Sequence, residues 1–198
     1  MSGLTYIRRT GAAISDSFDD LARLRIRVFR DYPYLYEGSV DYERGYLATY
    51  ANSPEALLFA VYDGREMVGA TTCIPLADET DEVKEPFIQN GFNISEIFYF
   101  GESILLKPYR GLGLGHKFFD VRESHAAGSG NYKITCFCSV SRPDNHQAKP
   151  DHYRPNDAFW LKRGYTPHSG LKSYFDWTDI GDLHSTSKPM IYWTRPLS

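Results

Sequence analysis

Seven consecutive residues, Arg110-Gly111-Leu112-Gly113-Leu114-Gly115-His116, combine the properties needed to hold an anion. Glycines allow left-handed backbone angles and a close approach to a ligand. The run follows the apolar segment Ser103-Ile104-Leu105-Leu106 and leads into a helical pattern at 117–127, so it reads as a strand-to-helix turn. At such a turn, free backbone N–H groups and the positive end of the helix dipole converge on one point. That point suits a phosphate, and Arg110 can add a charge-assisted contact to it. A glycine turn without a ligand is the plain alternative. Eight residues earlier, Glu102 stands among aromatic and aliphatic neighbours on the strand 98–106. A carboxylate there is costly unless paired, hydrated or functional. Partial burial would raise its pKa, which makes it a candidate general base. An ion pair with an arginine, or a hydrogen bond across the sheet, is the equal alternative.

Other glycine-rich loops do not fit. A P-loop needs Gly, four residues, then Gly-Lys-Ser/Thr, and a dinucleotide fingerprint needs a third glycine where His116 stands. What remains, Arg110-x-x-Gly113-x-Gly115 behind a strand and opening a helix, resembles the pyrophosphate-binding motif of the GNAT superfamily of acyl-CoA-dependent N-acetyltransferases. The resemblance implies acetyl-CoA as cosubstrate, its diphosphate held by Arg110, Gly111, Leu112, Gly113, Leu114, Gly115 and His116. It also implies that the strand before the turn splays from its neighbour. Backbone groups near Ile104, Leu105 and Leu106 would then meet the pantetheine arm and the thioester carbonyl. A backbone N–H aimed at the developing oxyanion contributes about 100-fold or more in measured enzymes.

In that family a tyrosine within Asn…Phe-Tyr-x-x-x-Gly-Phe often protonates the leaving thiolate. This chain has Asn156-Asp157-Ala158-Phe159-Trp160-Leu161-Lys162-Arg163-Gly164-Tyr165, with Trp160 at the tyrosine position. Indole is no acid at neutral pH. Tyr153 is the named substitute, with His152, Tyr165 and solvent as alternatives. The resemblance puts the acceptor cleft beside the loop carrying Tyr32, Tyr34 and Tyr36, facing the loop 142–155. Glu37, Asp41, Glu43, Asp144 and Asp151 lie in or near these segments, and carboxylates with tyrosines suit a cationic amine. Packing tyrosines and solvated acids are the plain alternative. The implied activity is acetyl transfer to a primary amine, small molecule or peptide, by direct attack in a ternary complex. The alternatives are an acyl-CoA sensor without catalysis and a transferase using a longer acyl-CoA.

The elements that must position these residues follow from periodicity. Residues 4–8 alternate as a strand. Asp16 is a candidate cap for a helix with Phe18, Leu21, Leu24 and Val28 on one side and Arg23, Arg27 and Arg30 on the other. A second helix fits 41–50. Asp63-Gly64 joins strands 56–62 and 67–74 as a hairpin. The acidic stretch 78–85 reads as solvated loop or a short helix running to Gly91. After the glycine turn, Leu114, Phe118, Val121 and His125 mark the core stripe of a helix that ends at Gly128-Ser129-Gly130. Then come a strand at 133–140, a short helix at 156–163, and strands at 174–177 and 190–194. The order β-α-α-β-β-β-α-β-α-β-β predicts one α/β domain over 1–198. The resemblance to the GNAT fold implies that its sheet is mixed and mostly antiparallel, with helices on both faces.

Composition agrees. The 198 residues are 42% hydrophobic with 15 tyrosines, enough for one sizeable core. A net charge of −3 gives no general pull toward nucleic acid or anionic membrane. No apolar run approaches the roughly 18 residues of a membrane span, and residues 1–13 lack a signal-peptide core. A cytoplasmic monomer or homodimer without metal is expected. Cys73, Cys136 and Cys138 suit reduced thiols rather than a disulfide framework.

Overall fold

The computed structural model describes residues 3–130 and 132–197. Its strands are β1 (Thr5–Thr10), β2 (Leu57–Asp63), β3 (Glu66–Pro75), β4 (Ile97–Leu105), β5 (Ile134–Val140), β6 (Thr166–Trp177) and β7 (Thr186–Pro196). Its helices are α1 (Phe18–Phe29), α2 (Val40–Asn52), α3 (Asp81–Gln89), α4 (Leu114–Gly128) and α5 (Asp157–Lys162). The strands form one sheet in the order β1-β2-β3-β4-β5-β7-β6. Every neighbouring pair is antiparallel except β4 and β5, which run parallel. This is the mixed, mostly antiparallel sheet that the resemblance implies.

One face of the sheet packs Leu58, Ala60 and Tyr99 against Leu21 and Leu24 of α1, Leu47 and Tyr50 of α2, and Phe87 of α3. The other face packs Phe98 and Phe100 against Phe119 and Ala126 of α4. The central strands β2 and β3 are covered on both sides, which is why they read as nearly continuous apolar runs.

Several local expectations are corrected. Asp16 does not cap α1: a 3-10 turn runs on to Ser17, and the Asp16 carboxylate pairs with Arg9 at 2.6 Å. Of the two readings of 78–85, the short helix holds: α3 (Asp81–Gln89) adds an element between the third and fourth strands of the predicted order. Asp81 and Glu82 complement the N-terminal dipole of α3, while Val83 and Phe87 are buried one turn apart. Pro86 sits inside this helix and cannot donate to the Glu82 carbonyl. Ser173 of β6 donates to that carbonyl instead, at 2.5 Å. The last two strands are far longer than 174–177 and 190–194. β6 is an edge strand with much of its length exposed, and its register shifts between Pro167 and Lys172, so a clean alternation is lost. The core stripe of α4 also differs: Arg122 and Phe119 are fully buried, while Val121 and His125 are partly exposed.

Two features of β4 position the site. Thr71 faces Ser103 and Cys73 faces Phe100, so one β3 residue opposes two on β4, a bulge at Gly101 and Glu102. β4 and β5 pair only through Ile97, Phe98 and Tyr99. Beyond Tyr99, β4 stays with β3 and β5 stays with β7. The two strands therefore diverge into a V.

Candidate active site

The V ends at the glycine turn. Gly111 and Gly113 take left-handed angles, φ 77° and 81°, that disfavour any side chain, and the space beside their α-carbons is open. Gly113 is the N-cap of α4 and supplies no side-chain cap. The first helical bond runs from the Lys117 amide to the Gly113 carbonyl, at 3.2 Å. The amides of Leu114, Gly115 and His116 thus lack intrahelical acceptors. Leu114 is buried and anchors the turn, whereas Gly111, Leu112, Gly113 and His116 are exposed. α5 lies alongside: the Phe159 ring packs on His116 at 4.9 Å. Arg110 is exposed, with its Nε donating to the Leu105 carbonyl at 3.1 Å and Asp31 3.7 Å away.

Among the three strand residues expected to meet the pantetheine arm, the register separates them. The Leu106 amide donates to Val68 at 2.9 Å, so it is committed to β3. Alternation along the antiparallel ladder turns Ile104 the same way and Leu105 the opposite way. Leu105 therefore presents its backbone to the open V, and Ile104 and Leu106 do not.

Glu102 is buried on the α1–α2 face at the bulge. Arg25 of α1 pairs with one carboxylate oxygen, and the Thr72 hydroxyl donates to the other. The Glu102 amide donates to Thr72 Oγ1 at 3.0 Å, and its carbonyl accepts from Thr71 Oγ1 at 2.7 Å and Arg122 Nη1 at 3.4 Å. These are the arginine pairing and cross-sheet bond offered as the alternative to catalysis. Arg25 also pairs with Glu43 of α2, itself fully buried. Burial works against the Arg25 cation, but Glu43 and Tyr46 outweigh it and the net shift is upward. Arg122 is another buried cation, held between Phe100 and Phe119 with its centre 4.4 and 4.5 Å from the ring centroids. Burial lowers it to about 10.

The aromatic loop and the loop 142–155 do meet. Tyr32 packs edge-on against Tyr153 at 4.7 Å and near His146 at 5.7 Å. Tyr34 instead stacks on Trp177 of β6, and Tyr36 lies beside Glu43. The three tyrosines thus face three different neighbours. Burial, with Tyr32, pushes the Tyr153 phenol upward. Trp160 packs against Phe137 and Trp193, each at 5.0 Å. Burial pushes the Cys138 thiol up to about 12, which keeps it from acting as a thiolate nucleophile at neutral pH.

Arg142 clamps the aromatic loop. It donates to the carbonyls of Pro33 and Tyr34, each at 2.8 Å, and forms a two-point pair with Asp179 at 2.7 and 2.9 Å. Burial opposes the Asp179 charge, but Arg142 and Lys188 outweigh it and lower its pKa. A lowered pKa contributes stability in full above the unfolded carboxylate value of about 3.9, lost as pH falls through the folded value. Asp179→Asn is expected to cost roughly 2 kcal/mol at neutral pH. Urea unfolding across pH should show that difference shrinking below pH ~4; a gap that widens in acid would contradict the assignment.

The sequence left Arg25, Arg122, Thr72 and Glu79 out of the site. Arg25 was legible in principle, since it falls four residues after Leu21 and three before Val28, inside the apolar stripe of α1. Glu79, read as part of a solvated acidic stretch, is buried and accepts from Tyr50 at 2.8 Å.

No family model matches the sequence, and no curated protein matches it. Solved structures do resemble the fold. An acetyltransferase of the GNAT family from Streptococcus pneumoniae aligns with a TM-score of 0.59 at 12% identity, covering 99% of this chain and 100% of that one. An N-acetyltransferase from Staphylococcus aureus Mu50 gives 0.59 at 9% identity, covering 98% and 99%. An acetyltransferase from Thermus thermophilus gives 0.53 at 17% identity, covering 98% and 97%. The chain has the fold of GNAT-family acetyltransferases along nearly its whole length. Among the described residues no helix is long and apolar enough to cross a membrane.

Proposed function

We propose that this protein transfers an acetyl group from acetyl-CoA to a primary amine by direct attack in a ternary complex. The observation that carries the reading is the V between β4 and β5, running into an uncapped helix N-terminus behind two left-handed glycines. A diphosphate fits the N-terminus of α4, and an extended arm fits the V. The arm's thioester end then lies up β4, toward the bulge, within reach of the Leu105 backbone. Arg110 would release the Leu105 carbonyl to bind phosphate, freeing that edge for the arm. Glu102, fixed by Arg25 and Thr72, holds the bulge and sets negative charge near the acceptor. Catalysis by Glu102 itself would need it to give up one of these partners. In this reading Tyr153, which packs on Tyr32 and whose phenol is shifted upward, donates its proton to the thiolate. Buried Glu43 and the tyrosine-rich loop favour a cationic acceptor.

One observation favours a second reading, an acyl-CoA-binding domain without chemistry: Trp160 at the usual acid position is used for packing. Thiol release separates the two. With acetyl-CoA and a panel of primary amines, the first reading expects amine-dependent release of free thiol. Tight binding of coenzyme A with no release on any amine would establish the second.

A further inference from the structure

An ammonium that becomes an amide gives up two protons. One ends on the departing thiol sulfur, and the other must reach solvent. Glu102 is poorly placed to carry it, since Arg25 and Thr72 hold both of its oxygens. Another route begins at the bulge. The Tyr50 hydroxyl lies against Gly101, two residues beyond the last β4–β5 pair, so closely that a Cβ at Gly101 would collide with it. Tyr46 and Tyr50 place their hydroxyls 3.2 Å apart, and Tyr50 donates to Glu79 Oε1 at 2.8 Å. Glu79 in turn lines a surface cavity of about 370 Å³, together with Thr49, Asn52, Ser53, Asp78 and Thr80.

We propose that Tyr46, Tyr50 and Glu79 form the exit path for the proton released by the acceptor amine, with Glu79 as its terminal acceptor at the cavity. This rests on the acyltransferase reading above. Tyr46 is the partly exposed end of this chain and Tyr50 is sealed, so the amine N–H bond breaks toward the Tyr46 oxygen as the Tyr46 proton passes to Tyr50 and the Tyr50 proton to Glu79. Both phenols end neutral, and Glu79 discharges to water in the cavity. Burial pushes both phenols far upward, so protons hop along them without a tyrosinate forming.

Burial also raises Glu79 above the ordinary carboxylate value, against its bonds from the Thr80 amide and Tyr50 and the charges of Arg25 on α1 and Lys84 on α3. Asp78 lines the same cavity, and the other titratable groups facing Glu79 are Tyr46 on α2, Tyr99 on β4, Cys136 and Cys138 on β5, and Tyr192 on β7. Those phenols and thiols are themselves pushed upward and stay neutral near pH 7. Along the Tyr46–Tyr50–Glu79 relay, Glu79 is therefore the group suited to change charge. It must be deprotonated to accept, so turnover falls as pH drops through its raised value.

The test compares wild type, Glu79→Gln, Glu79→Asp and Tyr50→Phe by thiol release. Acetyl-CoA is the donor; an aliphatic diamine, an arylalkylamine and a lysine-containing peptide are the acceptors. The relay expects kcat about 100-fold lower in Glu79→Gln and Tyr50→Phe, with the KM for acetyl-CoA unchanged. It also expects the acid limb of the pH profile to vanish in Glu79→Gln and return in Glu79→Asp. Tyr50→Phe keeps the carboxylate in place and must show the same loss should Glu79→Gln fail to fold. A folded Glu79→Gln with wild-type kcat and acid limb overturns the relay alone. Wild type that binds coenzyme A yet acylates none of the amines overturns the transferase reading, and the relay with it.

Discussion

Arg25→Met is expected to cost the fold about 3–5 kcal/mol, because it strips the shared counterion from two buried carboxylates. Glu43 and Glu102 are each nearly sealed from solvent, and Arg25 is the guanidinium that pairs with both. The loss is large against a typical total of about 5–15 kcal/mol. Methionine keeps much of the volume, so the effect isolates charge from packing. In urea the midpoint should drop with an unchanged slope, the mark of lost stability without a looser native state. Adding Glu43→Gln and Glu102→Gln should recover part of the deficit, since the uncompensated charges go with the cation. A loss below about 1 kcal/mol, the range of exposed pairs, would mean that these groups are hydrated and the cluster is open to solvent.

Gly113→Val is expected to weaken coenzyme A binding by about 100-fold or more while the protein remains folded. The position sits at φ 81°, where a β-branched residue is strained, and the cost is of order 1–3 kcal/mol. No neighbour stands within 4 Å of the added Cβ, so the fold itself has room for the side chain. The consequence falls on the ligand: valine either fills the space through which a phosphate approaches or pulls the amides of residues 114–116 off their common point. Thermal unfolding and coenzyme titration together read out the two effects. Unchanged affinity in a folded variant would remove the turn from the binding site.

The turn and its flanking elements were legible because each carries its own local signal: glycines for the left-handed angles, an apolar run before them, a helical stripe after. The Asp63-Gly64 hairpin was legible for the same reason. What stayed hidden depends on partners distant in sequence. The bulge at Gly101 and Glu102 exists only against Thr71, Thr72 and Cys73 of β3. Glu102 itself stood out as a carboxylate in an apolar strand, but its choice of Arg25 as partner required the packing of α1 across the sheet. The helix after residue 78 could not be told from a loop locally, because the partner of the Glu82 carbonyl left free by Pro86 is Ser173, far along the chain on β6. Arg122 fell outside the stripe read for α4, because nothing local says that Phe100 and Phe119 will enclose it. The long outer strands were obscured by an edge that faces water.

The central claim is that the junction of β4 and α4 cradles the diphosphate of coenzyme A. Calorimetric titration of the wild-type protein with coenzyme A and, separately, with pantetheine tests it most directly. The account predicts saturable binding of coenzyme A and binding of pantetheine weaker by about 100-fold, the loss of roughly two charge-assisted contacts. No heat with coenzyme A, or equal affinity for both, would contradict it.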